Sequence, residues 1–174
     1  GADETVVTAL LAAFSIGVAL GSAIAVKLTP RLPRGAAPAL GAFGIAVMAV
    51  ELWFATIAAA GDGDALVGRA EFLAQAAGLR VLADFALLAV FAGLYVTPLN
   101  AALQLAAPPA RRARFIACSN VIDAAAIVAS AALTAACVAA GLRAEDVMAL
   151  FGASGGLAAL AVGRVTSGAT PGRN

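Results

Sequence analysis

Three carboxylates stand inside otherwise apolar stretches of this chain: Glu51, Asp84 and Asp123. An ionisable side chain at membrane depth costs about 3 kcal/mol or more unless it meets the protein interior or water. Each is therefore either a lining group of a polar pathway or one end of a buried interhelical hydrogen bond. Glu51 is the strongest pathway candidate. Asp84 reads more simply as an interfacial residue near Arg80, one turn back on the same face, and Asp123 has Arg114 and Asn120 within reach. A second polar group gathers uncharged side chains. Thr97, Pro98, Asn100 and Gln104 close one apolar stretch, and Ser119, Asn120 and Asp123 open the next. Pro98 cannot donate an amide proton and weakens or kinks a helix. Beside the amides of Asn100 and Asn120 it is either a gate or hinge, or part of a clasp between two spans.

Much other chemistry is excluded. The chain has no histidine, which removes most metal sites and every nucleophile paired with histidine. No two acids share a helical i, i+3 or i+4 spacing inside one apolar stretch, so no single span offers an aspartyl pair. Cys118 and Cys137 are 19 residues apart in one stretch, too far along a helix for a disulfide, and read as small fillers. No catalytic residue, cofactor, metal or nucleic-acid partner is expected.

The elements that must position these groups follow from composition. Of 174 residues, 63% are hydrophobic and 12% charged, about half the charge of a soluble domain. Five apolar stretches, roughly 6–26, 36–60, 81–107, 115–140 and 147–165, are each long enough to cross a bilayer core of about 30 Å. In lipid, backbone amides must be satisfied within the segment, which makes the stretches helices. The expected fold is all-α: a polytopic membrane bundle of five transmembrane helices over 1–165, with a disordered cytoplasmic tail over 166–174. The segment between the second and third spans contains a short interfacial helix near 70–77.

Charge sets the orientation. Lys27, Arg31, Arg34, Arg111, Arg112, Arg114, Arg164 and Arg173 flank the spans on one side, against Arg69, Arg80 and Arg143 on the other. Asp3, Glu4, Asp62, Asp64, Glu71, Glu145 and Asp146 all fall on the basic-poor side. Basic loops stay cytoplasmic, so the N-terminus is outside and the C-terminus inside. Small residues recur every four positions at Ala13, Gly17, Gly21 and Ala25, and again at Gly152 and Gly156. Such stripes let helix backbones pack closely in lipid. They serve plain packing or a helix that rocks on its partner.

Three segments carry a family resemblance. Residues 5–22 (TVVTALLAAFSIGVALGS), 91–104 (FAGLYVTPLNAALQ) and 111–124 (RRARFIACSNVIDA) resemble the lysophospholipid transporter group of the major facilitator superfamily. The most specific piece is Pro98-Leu99-Asn100-Ala101 with Gln104; Ser119 and Asp123 stand where the group more usually has amides. The resemblance implies a major-facilitator-type half whose helices correspond to spans eight to twelve of a twelve-helix transporter. The acidic opening Gly1-Ala2-Asp3-Glu4 then follows a seventh span, and the loop 21–34 resembles the superfamily's Gly-rich basic loop. It implies further a fragment that needs its N-terminal half, moving lysophospholipids such as lysophosphatidylethanolamine across the bacterial inner membrane by alternating access. Membrane lipid and, as in fused relatives, an acyltransferase would be its partners, with Glu51, Asn100, Gln104, Asn120 and Asp123 as pathway residues. The alternatives are a transporter of this superfamily for another small amphipathic solute, and a non-transporting membrane scaffold or small subunit whose stripes serve oligomerisation alone.

Overall fold

The computed structural model describes residues 3–59, 68–143, 146, 147, 150, 152, 154 and 155. Its elements are α1 (Glu4–Leu28), α2 (Ala36–Ala59), α3 (Arg69–Ala74), α4 (Ala76–Ala106) and α5 (Arg112–Ala139), with single 3-10 turns at Thr29–Arg31 and Pro109–Arg111. Among the described residues no strand occurs. Four helices are long and apolar enough to cross a membrane. Of the fifth expected span, the described residues from Asp146 to Gly155 are helical, and the rest, with Gly156 and the tail 166–174, lies outside the described residues.

Local chemistry sets the helix ends. Asp3 caps α1 by accepting from the Thr5 and Val6 amides at 2.9 and 3.1 Å, which satisfies amides that have no intrahelical partner. Glu4 in the first turn and Lys27 in the last suit the helix dipole. At the far end of α5, Gly141 takes φ 91°. Its amide donates to the Val138 carbonyl at 3.0 Å, and the Leu142 amide donates to Cys137 at 3.1 Å. This pair of bonds is the usual left-handed glycine stop of a helix.

The third span starts earlier than its hydropathy indicates, at Ala76 and not near 81, and the expected interfacial helix near 70–77 is split at Gln75. Gln75 is extended, φ −93° and ψ 133°, so Ala76 and Ala77 join α4. The turn is tight because Gly78 lies directly under the Phe72 carbonyl, where a Cβ would overlap it.

α4 is the centre of the packing. Gly17 and Gly21 of α1 rest on Ala86, Ala89 and Val90, and Gly93 of α4 rests on Val18 and Ser22. A Cβ at Gly17 would stand 2.6 Å from the Ala86 carbonyl oxygen, and one at Gly21 would overlap the Val90 carbonyl. Ascending residues meet ascending residues, so α1 and α4 run parallel. On the other side Gly41 meets Tyr95, Gly44 meets Phe91, and Leu52 and Ala55 cluster with Val81. There the order reverses, and α2 is antiparallel to α4. These directions are the ones that successive membrane crossings require. The interior is mostly alanine and glycine, whereas Leu11, Ile16, Leu20, Phe43 and Phe54 face outward. That inversion suits lipid, where helix contact comes from close backbone approach and not from hiding large apolar groups.

α5 stands apart, with no buried residue. The two spans that a clasp between Asn100 and Asn120 would join, α4 and α5, do not pack face to face. The buried positions of α4, among them Gly93, Ala89, Val81 and Leu94, are already committed to α1 and α2, so the short Ala107–Arg111 link joins helix ends without joining faces.

Candidate functional site

The first polar site sits between α2 and α4. The Arg80 guanidinium pairs with Glu51 Oε1, through Nη2 and through Nε at 3.1 Å. One turn further along α4, Asp84 Oδ2 lies 4.0 Å from Arg80 Nε, close enough for ionic attraction and too long for a hydrogen bond. Arg80 and Glu51 are only partly covered, whereas Asp84 is 8% exposed. Glu51 also lines an open groove of about 480 Å³ with Ala46, Val47, Met48, Val50 and Phe54. It is thus both a member of an interhelical ion pair and a groove residue. Next to it on α2, the Trp53 indole donates to Asp146 Oδ1 at 3.4 Å, and Ala49 Cβ occupies the space a side chain at Gly152 would need. The start of the last helical segment therefore leans on α2.

The helical spacing that sets Arg80 beside Asp84 does not reveal its closer partner, Glu51. The signal lay in depth. Glu51 precedes the end of α2 by roughly 12 Å of helix and Arg80 follows the start of α4 by roughly 6 Å, a gap the long Arg side chain spans.

The second polar site is split. Thr97 Oγ1 and Ser22 Oγ are 2.9 Å apart and partly buried, bridging α4 and α1; Ser22 had no assigned role in the sequence reading. Pro98 lies inside α4, which continues as helix to Ala106. Asn100 and Gln104 are exposed on α4, and Asn120 and Asp123 are exposed on α5. Among the described residues none of the four makes a side-chain hydrogen bond, and Asp123 forms no ion pair with Arg114. No clasp between Asn100 and Asn120 is formed.

Outside the spans, Asp3 closes the acidic end. Its Oδ1 accepts from the Thr5 hydroxyl at 2.6 Å, and Thr5 Oγ1 accepts from the Arg69 amide at 3.1 Å. The Thr5 hydroxyl first, then the Val6 amide, holds the Asp3 carboxyl below its ordinary value.

No protein-family model, curated protein or solved structure matches the chain.

Proposed function

We propose that this chain forms part of a secondary membrane transporter of the major facilitator type, and that the parent protein moves lysophospholipids across the bacterial inner membrane by alternating access. The observation that carries the reading is α5. It is a 28-residue apolar helix that presents Asn120 and Asp123 without a protein partner among the described residues. Polar groups on such a helix have to meet water or further helices, and a solute cavity between two sets of helices supplies both. Asn100 and Gln104 at the end of α4 face the same requirement, and Pro98 just before them gives the backbone a weak point at which to gate. The segregation of Lys27, Arg31, Arg34, Arg111, Arg112 and Arg114 at one end of the bundle supports a cytoplasmic side for that end.

The scaffold alternative relied on free small-residue stripes for oligomerisation. Gly17 and Gly21 are already covered by α4 within one chain, so α1 has no open stripe to offer. The transport reading is tested in cells that depend on the parent protein for lysophosphatidylethanolamine uptake. Asp123→Ala and Asn120→Ala are expected to cut uptake about tenfold at unchanged membrane level, the pattern of lost functional contacts and not of lost fold. Uptake equal to wild type in both variants would remove the observation the reading stands on.

A further inference from the structure

Asp84 is the one charged residue in the buried core among the described residues, and its Oδ2 has no hydrogen-bond partner there. Its neighbours explain why. The guanidinium nearest to it is already held by Glu51 across the helix pair, so two carboxyl groups face one Arg80. Glu51 and Arg80 are the charges that act on Asp84. From α1 this part of α4 receives Phe14, tilted against Phe85 at 5.6 Å between ring centroids, and Gly17, while the ionisable residues of α1, Asp3, Glu4 and Lys27, lie at its two ends. α3 meets α4 through Phe72 at Gly78, with its Arg69 and Glu71 exposed. Asp146 is taken up by Trp53.

Charge counting then decides the state of the cluster. Two carboxylates and one guanidinium sum to −1, and a net charge at this depth is costly. One bound proton makes the group neutral. Glu51 already has its counter-ion, and Asp84 has none within hydrogen-bond distance. A buried ionised oxygen without a partner costs far more than a neutral one. We propose that Asp84 is a proton-binding site and that Arg80 is its displaceable counter-ion. With the proton on Asp84, Arg80 bonds to Glu51 and fastens α2 to α4. When the proton leaves to water past the half-exposed Arg80, the guanidinium turns to the new carboxylate and the α2–α4 fastening loosens. The site goes beyond the transport reading and stands whether or not lysophospholipid is what moves.

The test is infrared spectroscopy of the purified chain in lipid nanodiscs, reading the carbonyl stretch of protonated carboxyl groups across a pH titration. The expected result is a band at neutral pH that shifts when the chain is grown on isotope-labelled aspartate and is lost in Asp84→Asn. In Glu51→Gln the freed guanidinium passes to Asp84, so the band is expected to vanish at lower pH than in wild type. A band that ignores the aspartate label, or no band at all, overturns the proton site. A band that titrates identically in Glu51→Gln overturns the shared counter-ion. Where Asp84→Asn does not fold, Asp123→Asn, expected to leave the labelled band in place, and Glu51→Gln, expected to move it, decide both points.

Discussion

At the scale of single residues, most charges among the described residues stand in pairs or near helix ends, with Asp123 inside α5 the exception. Asp3 is the clearest case: one carboxylate caps two amides and orients the Thr5 hydroxyl that in turn receives the Arg69 amide. The depressed folded value of Asp3 fixes the sign of its pH dependence. Its contribution is present above the unfolded carboxylate value and is lost as pH falls through the folded one. Amide exchange at Thr5 and Val6 is therefore expected to lose protection on acidification in wild type. Asp3→Asn, which still caps but does not titrate, removes that pH dependence, whereas Asp3→Ala loses protection at every pH. The Glu51–Arg80 pair makes a separate prediction. Glu51→Gln and Arg80→Gln each lower the thermal midpoint, and the double variant loses less than the sum of the two, because both single changes break the same bond. Strict additivity in that cycle would mean the pair contributes nothing to α2–α4 packing.

At the scale of helices, packing depends on where a side chain is missing. Gly21 lies against the Val90 carbonyl and Gly17 against Ala86 and Ala89, so Gly21→Ala forces α1 away from α4. The expected loss is about 1–3 kcal/mol, read as a fall in the unfolding midpoint in detergent. Gly155 meets nothing within 4 Å, and Gly155→Ala is expected to leave the midpoint unchanged. The stripe itself was legible in the spacing of Ala13, Gly17, Gly21 and Ala25, and four helices appear within a few residues of where apolar length put them. The partner was not legible. A stripe states that something comes close, but small residues are also spread along α2 and α4, and only the fold selects α4. The start of α4 was misplaced for a related reason: Ala76, Ala77 and Arg80 are good helix formers but sit outside the most apolar window. The ion pair of Glu51 was hidden because reading along one helix finds Asp84 for Arg80, while the closer carboxylate comes from 29 residues away.

At the scale of the molecule, α1, α2 and α4 form one packed unit with large apolar side chains facing out, and α5 leaves most of its surface uncovered among the described residues. In the proposed arrangement that surface meets the remaining helices of the parent and the solute, with the basic ends of α1 and α5 in the cytoplasm. A cysteine placed in the basic link as Ala110→Cys, with Cys118 and Cys137 replaced by alanine, reports on this orientation. A membrane-impermeant maleimide is expected to label it in inverted inner-membrane vesicles and not in intact spheroplasts; the reverse pattern would place the basic end outside. Lysophospholipid transport is measured as translocation of a fluorescent lysophosphatidylethanolamine in proteoliposomes, read by quenching from the outer leaflet. The complete parent protein is expected to move the lipid faster than protein-free vesicles, and this chain reconstituted alone is expected not to. Translocation by the chain alone at the parent's rate, or none by the parent, would contradict the transport reading.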